Sequence, residues 1–542
     1  MSQVSPLLLQ NLAAIRSVDA SLADRICLPV SGDHIQITDS AAYYLIQQGA
    51  YRLSIPVNEV APAISLPEDT PIALLFGLGM GEQLDYLLYK YPNTRLLAWE
   101  RDPWILRLVL SCGDYTEAIV SGRLRFLLGA DLFDHLSSRP EAVVWHPLLR
   151  RLYPNEASLL DGKGDRKRAL LCAGTLVVDD VGWSLRELGY DVYTWDVARV
   201  SREELEYGAK LIHPQVVFSV NYTKDLVETC RELNLKLAVW EIDPALDRLR
   251  PCVGSSAGAH IFTYRASNAA AWKQASYTNA RYLPLAANTS LRTPVKLAWG
   301  EEKYVSKLSL VGGSMVENAA LQRKRFLGIV REWRAFSTND EATLDAVLAE
   351  QRADWSEYRI PALLDKYFPG LIGASYAFAH WGDPAMLVGE LAASEWRLRV
   401  AASLGPLGLQ VWGDEGWQQA AGVYYKGFAG HILELNKIYS NGLIHVDVSR
   451  LYQRDMVTMR VFDVLSCGGF VLTEHSSALG ELFEVGKELD SWRTLEELKD
   501  KCTYYLAHPE EAQKIAAAGQ AKVRAQHTIL GRVKEMLAET LA

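Results

Sequence analysis

Apolar runs that alternate with segments of helical periodicity organise most of this chain into α/β series. In residues 71–150, PIALLFGLGMG is typical of a buried strand entering a glycine turn, GEQLDYLLYKYP has helical periodicity, and RLLAWERDP and GRLRFLLGAD follow as a second and a third strand. This order predicts a three-stranded parallel sheet with right-handed crossovers. Upstream, we predict a helix over 6–17 and short strands near 35–38 and 51–55.

Two further series follow the polar segment LLDGKGDRKR (159–168), which is a predicted linker. The first contains the strand-like runs RALLCAGTLVV, DVYTWDVA, PQVVFSV, LKLAVWEID, AHIFTYR and ARYLPLA, with the helical segments VGWSLRELGY and KDLVETCRELN between them. The second opens with KLSLVGGS, is interrupted by a helix-rich stretch over 317–402, and resumes with LGLQVWGDEGW, GLIHVDVS and GGFVLTEHS. A helical segment that begins at HPEE closes the chain.

These patterns predict an α/β protein with two Rossmann-like domains facing a cleft, preceded by a further Rossmann-like domain. The predicted units are a 1–70 extension, a 71–158 accessory domain, a 168–305 domain, a domain formed by 306–316 and 403–530, a 317–402 helical insertion, and a 531–542 helix end.

Composition and charge narrow the function classes. The chain has 542 residues, of which 49 % are hydrophobic, as in ordinary soluble globular proteins. Its formal net charge of −9, without a compensating basic block, argues against bulk binding to nucleic acid or anionic membranes. A local basic site for a phosphate group is compatible with this charge. No run approaches the ~18 apolar residues of a membrane span, and MSQVSPLLLQ lacks the pattern of an export signal.

The cysteines indicate a cellular compartment. The seven cysteines are odd in number, scattered, and without CxxC pairing. We therefore expect free thiols in a reducing cytoplasm.

The first glycine turn is a candidate ligand site. Gly77, Gly79 and Gly81 follow a strand and open a helix, Glu100 ends the next strand, and Asp131 follows the third. In nucleotide-binding Rossmann units such glycines admit a ligand to the backbone, and the acid accepts hydrogen bonds from ribose hydroxyls. The spacing departs from the dinucleotide fingerprint, so three interpretations stay open: a nucleotide-type ligand, S-adenosylmethionine (SAM) for methyl transfer, or glycines that only permit tight packing.

The segment RDMVTMRVFDVLSCGGFVLTE (454–474) is the second candidate. A helix from Met459 would place Arg460 and Asp463 on one side, either as a solvated i,i+3 ion pair or as the lining of a cleft. Because the helix lies between two strand-like runs, its first turn faces the carboxyl edge of a parallel sheet, where ligands bind. The free N–H groups of that turn suit a pyrophosphate.

The same region resembles the CgeB-type bacterial glycosyltransferases. The similarity rests on RVFDVLSCGG, ELFEVGKEL and HPEEAQKIAAAG with HT, and on the upstream motifs WGDEGW, YYKGF, AVWEIDPALD and KLSLVGG. It covers roughly 168–532, without most of the helical stretch. The resemblance implies a GT-B fold, in which 168–305 forms the acceptor domain and 306–316 with 403–530 forms the domain that binds a nucleotide-diphosphate sugar.

The resemblance also implies roles for individual residues. Asp455 and Asp463 occupy the positions of the Glu-x7-Glu pair of retaining enzymes, whose second acid holds the ribose hydroxyls. Both are Asp here, one methylene shorter, which puts direct contact by Asp455 in doubt. Arg460 would balance the diphosphate, since a guanidinium offers paired donors to phosphate. Met459 lies on the same side of the helix.

Other candidates complete the implied donor site. Lys426 and Phe428 would frame the nucleotide base, and Gly312 and Gly313 would permit close approach of the donor. Glu481 either reaches the sugar or caps a helix over 477–484. The catalytic candidates are therefore Arg460, Asp463 and Glu481.

The acceptor side rests on residues that follow predicted strands. Asn221, Trp240 and Asp243 lie at strand ends facing the predicted cleft, although Asp243 before a proline equally suits a turn. His445 and Asp447 alternate on one strand and point either at the donor or into the core.

Residues 1–150 resemble, through NLAAI, FGLGMG and AWERDP, the leading part of motility-associated factor (Maf) proteins of flagellin glycosylation. We therefore expect a cytoplasmic bacterial glycosyltransferase that uses a nucleotide-diphosphate sugar, needs no metal, and acts on a protein or surface-glycan acceptor. The alternatives are a SAM-dependent methyltransferase-like domain fused to a glycosyltransferase module, and a catalytically degenerate GT-B scaffold. We expect no nucleic-acid partner, and self-association stays open.

Overall fold

The computed structural model describes most of the chain. The described residues are 5–30, 32, 35–38, 41–45, 52–56, 64–67, 69–136, 140–161, 166–174, 177–222, 224–243, 258–334, 339–378, 380–431 and 433–542. By their contacts the residues form two compact units: unit 1 comprises Met1–Trp240, Ala257–His260 and Met536–Ala542, and unit 2 comprises Glu241–Ser256 and Ile261–Glu535.

The α-helices are named in chain order. They are α1 Pro6–Val18, α2 Ala20–Cys27, α3 Glu82–Lys90, α4 Pro103–Cys112, α5 Thr116–Val120, α6 Leu149–Leu152, α7 Pro154–Asp161, α8 Val178–Glu187, α9 Arg202–Ile212, α10 Lys224–Glu232, α11 Ala266–Gln274, α12 Val316–Trp333, α13 Asp340–Ala353, α14 Ile360–Tyr367, α15 Leu371–Ser375, α16 Pro384–Leu404, α17 Glu434–Asn441, α18 Met459–Ser466, α19 Leu479–Leu482, α20 Leu495–Ala507, α21 Pro509–Gln526 and α22 Ile529–Leu541.

The strands are named in the same way. They are β1 Ile35–Ile37, β2 Ala41–Leu45, β3 Arg52–Pro56, β4 Ile72–Phe76, β5 Arg95–Glu100, β6 Leu124–Leu128, β7 Ala142–Trp145, β8 Lys167–Cys172, β9 Tyr190–Trp195, β10 Val216–Val220, β11 Leu237–Glu241, β12 Ala259–Thr263, β13 Ala280–Tyr282, β14 Ser306–Val311, β15 Gln410–Trp412, β16 Tyr424–Tyr425, β17 Gly442–Asp447, β18 Val471–Glu474 and β19 Asp490–Trp492. Short 3-10 turns cover Gly129–His135, Glu302–Tyr304, Gly405–Leu407, Glu415–Gln419 and Leu451–Gln453.

Unit 1 contains one antiparallel sheet and two sets of parallel strands. β1, β2 and β3 form an antiparallel sheet, and β4 to β7 form a parallel sheet in the order β6-β5-β4-β7. β8 to β11 are also parallel, in the order β11-β10-β8-β9. The chain order reverses between β4 and β7, which makes the crevice at their carboxyl ends a topological switch point.

Unit 2 repeats that plan on a larger scale. Six parallel strands lie in the order β16-β15-β14-β17-β18-β19, so a switch point lies between β14 and β17. Trp396, Trp417 and Trp492 are buried in the core that covers this sheet. A separate core under α12 to α16 buries Phe326 and Phe368. β12 and β13 also pair in parallel within this unit's range, with Ile261 opposite Ala280.

The structure confirms an α/β fold with parallel sheets and corrects several details. The sheet around the first glycine turn has a fourth strand, β7, because EAVVWHPLL pairs with β4. The closing helix is two helices, α21 and α22, separated at His527 and Thr528. Of the predicted linker 159–168, residues 162–165 lie outside the described residues. The predicted domain limits stay predictions; the unit boundary at residue 240 falls inside the 168–305 domain.

Candidate functional site

The glycine turn after β14 stands at the switch point of unit 2. Gly312 has a φ of +145°, which L side chains rarely adopt, and α12 begins four residues later. A Cβ at Gly312 would lie 2.6 Å from Nη1 of Arg460 and 3.0 Å from Nη2 of Arg397. The turn therefore has two guanidinium groups directly against its backbone.

Asp414 holds this turn in place from the end of β15. Its carboxylate accepts hydrogen bonds from the backbone N–H of Ser314 at 2.7 Å, from the Ser314 hydroxyl, and from the N–H of Gly416 at 3.0 Å. Charge-assisted bonds to backbone N–H groups are the stronger kind. The position of the turn is thus fixed by neighbouring strands.

Arg460 extends from the first turn of α18 toward β17. Its Nε donates to Asp447 at 2.8 Å and its Nη2 to the Val448 carbonyl at 3.2 Å, while Nη1 has no hydrogen-bond partner among the described residues. Asp447 ends β17 and also accepts from the hydroxyls of Thr458 and Thr473. An i,i+3 ion pair between Arg460 and residue 463 does not form in the described structure, because Asp447 takes the guanidinium.

Arg397 is a site residue that the sequence analysis missed. It extends from α16, is only 4 % exposed, and donates through Nε to the Gly313 carbonyl and through Nη1 to the Val448 carbonyl, each at 2.9 Å. Burial, and after it repulsion from Arg460, lower the pKa of Arg397 to about 9. Its charge therefore persists at neutral pH.

Asp463 lies one turn beyond Arg460 and is nearly buried. Its Oδ2 pairs with Nε of Arg292 at 3.2 Å, and its Oδ1 accepts no hydrogen bond from the described residues. Burial raises the pKa of Asp463, and Arg292 opposes that shift. Arg292 also donates to the His431 carbonyl at 2.6 Å. Asp463 thus holds Arg292 through Oδ2, and its Oδ1 can accept a further hydrogen bond.

Asp455 is engaged by two side chains of unit 2. Its Oδ1 accepts from Nε of Arg265 at 2.8 Å and its Oδ2 from the Ser267 hydroxyl at 2.6 Å. Arg265 also donates to the Tyr452 carbonyl at 3.1 Å. Both oxygens of Asp455 are therefore occupied here, and its predicted donor contact stays a prediction.

The remaining donor-side candidates differ in exposure. Lys426 and Glu481 are exposed, Phe428 is 69 % exposed, and Met459 is half-buried. Glu481 lies in α19, Leu479–Leu482, which is shorter than the predicted 477–484 helix. None of these four side chains belongs to the cluster around Gly312.

The acceptor-side candidates follow β10 and β11. Asn221 has a left-handed φ of +65° and its N–H donates to the Trp240 carbonyl at 2.8 Å. Trp240 is fully buried, so its indole does not face solvent. Asp243 is half-buried.

His445 points into the core and not at the donor side. Its ring nitrogens bond the Ser309 hydroxyl at 2.6 Å and the Tyr439 carbonyl at 3.0 Å. Burial lowers the pKa of His445 to about 4, so the imidazole is neutral. Only Asp447 of that strand reaches the cluster at Gly312.

The first glycine turn, in unit 1, is filled from β7. Cβ atoms at Gly77 and Gly79 would run into the side chains of Leu149 and His146, and one at Gly81 would lie 3.1 Å from the Tyr115 hydroxyl. All three glycines have positive φ. Side chains of the protein thus occupy the space beside this turn.

The acids of that unit are also bonded internally. Glu100 is fully buried and accepts from the N–H groups of Leu78 and Asp102, each at 3.0 Å, and from the Tyr153 hydroxyl at 2.6 Å. Burial raises the pKa of Glu100 to about 7. Asp131 pairs with Arg25 at 2.7 Å. Ligand binding by this set stays a prediction, with no open carboxylate oxygen of Glu100 to support it.

One signal for Arg397 was present in the sequence. The run LVGELAASEWRLRVAASL places Glu390 and Arg397 seven residues apart within an apolar helix, so both lie on one buried face. Charged side chains on the buried face of a helix are costly to desolvate, so such a pair marks a candidate site. Arg292 carried no comparable signal, because it follows a strand in an irregular segment.

The described residues contain neither a candidate metal site nor a candidate membrane-spanning helix. No set of three or more His, Cys, Asp or Glu side chains is placed to hold a metal ion. No helix in that part of the chain has the length and apolar character needed to cross a membrane.

Comparisons with known proteins bear on the C-terminal part of the chain. Residues 392–538 match the family model described as glycosyl transferase-like. No curated protein matches the chain. The CgeB-type and motility-associated factor resemblances stay predictions.

The chain is similar in structure to several solved glycosyltransferases. A glycosyltransferase from Rickettsia africae is 11 % identical, with a TM-score of 0.42 over 70 % of this chain and 99 % of that one. Anabaena Alr3699/HepE in complex with UDP and glucose is 12 % identical, with a TM-score of 0.38 over 69 % and 99 %. Sucrose-phosphate synthase from Thermosynechococcus elongatus is 11 % identical, with a TM-score of 0.36 over 69 % and 98 %.

Proposed function

We propose that this chain is a GT-B glycosyltransferase that moves a sugar from a nucleotide-diphosphate donor to a protein or surface-glycan acceptor. The observation that carries the proposal is that the family-model region, 392–538, contains Arg397 and Arg460, the two charged residues that face Gly312. The geometry of the glycine turn in unit 2 supports the same function, because two guanidinium groups face its backbone. The acceptor class comes from the sequence resemblances alone.

Glycosyl transfer requires that the negative charge developing on the departing nucleotide diphosphate be stabilised. The Nη1 group of Arg460 points at Gly312 and has no hydrogen-bond partner in the described residues, while Asp447 fixes the orientation of the guanidinium. A preorganised donor of this kind binds developing negative charge without reorganising. In this proposal Arg460 carries that role at the turn.

Asp463 is proposed to bind the ribose of the donor. Its Oδ1 is available while Arg292 holds its Oδ2, so the carboxylate keeps one orientation. An ionised carboxylate accepts hydrogen bonds from vicinal hydroxyls. Asp455, by contrast, is proposed to hold Arg265 in place.

The direct test is thermal-shift and hydrolysis measurement with UDP-, GDP- and dTDP-sugars. We expect one donor class to raise the melting temperature and to be hydrolysed slowly. Arg460→Ala and Asp463→Asn should each lower that hydrolysis at least 100-fold, about 2.7 kcal/mol of transition-state stabilisation. Asn is chosen at 463 because its amide oxygen can still accept a hydrogen bond from Arg292, whereas Ala offers no acceptor there.

The exposed Arg493 provides the matched control for Arg460. Arg493→Ala should leave hydrolysis unchanged. Wild-type turnover in both site variants would refute the site, and no response to any nucleotide sugar would favour the degenerate scaffold. A shift with SAM would instead favour a methyltransferase.

A further inference from the structure

Arg397 is distinguished from the other buried arginines by its missing counter-ion. Among the described residues Arg25, Arg292 and Arg397 are buried. Arg25 pairs with two carboxylates and Arg292 with Asp463. Arg397 makes no ion pair in the described structure; its hydrogen-bond partners are the carbonyls of Gly313 and Val448. A buried charge left without an opposite charge is strongly unfavourable.

The surroundings of Arg397 add positive charge. The guanidinium groups of Arg460 and Arg450 both lower its pKa by repulsion, and Asp447 and Glu474 act on it in the opposite direction from outside ion-pair distance. Asp447 pairs with Arg460, and Glu474 with Arg454, at 2.8 Å each. The carboxylates near Arg397 are therefore already committed.

Helix α16 is built against the glycine turn. The hydroxyl of Ser394 donates to the Ser314 carbonyl at 3.1 Å, one turn before Arg397 donates to the Gly313 carbonyl. Glu390, one further turn back, accepts from Asn318 at 2.5 Å and from the Tyr452 hydroxyl. Three successive turns of one helix face thus contact the turn and its surroundings.

One nitrogen of Arg397 stays open. Nη2 has no hydrogen-bond partner in the described residues and lies 3.0 Å from the Cβ position at Gly312, where Nη1 of Arg460 also points. Because both nitrogens lie within 3.0 Å of one point, a single small anion reaches both. The first turn of α12 follows the same glycines; its Val316 N–H donates to the Ser314 hydroxyl, and its N-cap residue Met315 makes no side-chain cap.

We propose that Arg397 binds the diphosphate of the donor together with Arg460, and that α16 is therefore part of the donor site and not an accessory insertion. This inference rests on the proposed function. The family-model region begins at residue 392, so it includes Arg397, whereas the sequence had placed that residue in the 317–402 insertion. Within the described residues each guanidinium keeps one free nitrogen beside Gly312, so the pair offers two charge-assisted donors to the oxygens of a diphosphate.

The test is calorimetric binding of UDP, GDP and dTDP, of inorganic pyrophosphate, and of the matching nucleoside. Two variants are compared. Arg397→Lys keeps the charge but loses the planar set of N–H donors, and Arg397→Met removes the charge at similar volume. For the diphosphate that the wild type binds, we expect at least tenfold weaker binding in both, and the same for pyrophosphate. Nucleoside affinity should change less than twofold.

Arg399→Ala is the control, because Arg399 lies on the same helix two residues away and is exposed. It should bind as the wild type does. Wild-type diphosphate affinity in both Arg397 variants overturns this inference and leaves the proposed function standing. Parallel loss of nucleoside and diphosphate binding also overturns it, since Arg397 would then only support the turn. A wild type that binds none of the probes overturns both proposals.

Discussion

Two glycine turns in this molecule look alike in sequence and differ in what faces them. Gly77–Gly81 follows β4 and Gly312–Gly313 follows β14, each at the switch point of a parallel sheet. At the first, His146 and Leu149, which follow β7, fill the space beside the glycines. At the second, two guanidinium groups face the backbone with a nitrogen each to spare.

The difference shows that glycines in such a turn indicate only that neighbouring atoms approach the backbone closely, and not which atoms these are. In unit 1 a neutral imidazole and an aliphatic side chain use that space, as burial lowers the pKa of His146 to about 4. In unit 2 the space is bordered by charge. What lies beside each turn is thus set by segments outside the glycine motif: the residues after β7 in unit 1, and α16 and α18 in unit 2.

The largest expected effect comes from Gly312→Ala. The added methyl would displace the nitrogens of Arg460 and Arg397 and strain a φ of +145°. We expect donor hydrolysis to fall at least 100-fold, while the free energy of unfolding falls by about 1–2 kcal/mol. Gly328→Ala, in α12 with open space beside it, is the control and should keep full activity.

The converse substitution in unit 1 should change stability and spare activity. Gly79→Ala would run into the His146 ring at a φ of +56°, so we expect a loss of about 2–4 kcal/mol with unchanged hydrolysis. In a double-mutant cycle with His146→Ala, the two losses should couple favourably by about 1 kcal/mol or more. Additive losses would show that the ring does not limit this turn.

The smallest expected effect is the pH dependence of unit 1. His146 has a folded pKa of about 4, below its ordinary value of 6.5, so its contribution is complete above pH 6.5 and is lost as the pH falls toward 4. Between pH 7 and pH 5 this amounts to about 2 kcal/mol. Denaturant titrations of the wild type and of His146→Gln at both pH values measure this difference. An equal change in the free energy of unfolding between pH 7 and pH 5 in the two proteins would contradict it.

The sequence predicted the sheets better than the contacts made by charged side chains. Apolar runs such as PIALLF and KLSLV fix strands because burial on both faces of a parallel sheet requires them. The same reasoning placed Arg460 and Gly312 at one sheet edge, where they meet. The partner of each charge could not be predicted, since Asp447 meets Arg460 across the loop between β17 and α18, and Arg292 reaches Asp463 from a segment distant in sequence.

Two misses have specific physical causes. The strand β7 was overlooked because EAVVWHPLL lacks polar chemistry, yet its His146 determines what occupies the first turn. Arg397 was overlooked because the helix-rich stretch showed no strand character, and its role depends on three-dimensional contacts of α16 with Gly313. In both cases the decisive residue lies outside the motif that drew attention.

If Arg397 binds the donor diphosphate as proposed, its missing counter-ion links the stability of the protein to the supply of donor. The empty protein then holds a buried guanidinium without an opposite charge, and the bound anion supplies that charge. Unfolded molecules are removed by proteases, so a ligand that binds only the folded state also protects against degradation. We therefore expect cells that are short of donor to hold less of this protein at the same rate of synthesis, which pulse-chase measurement would detect.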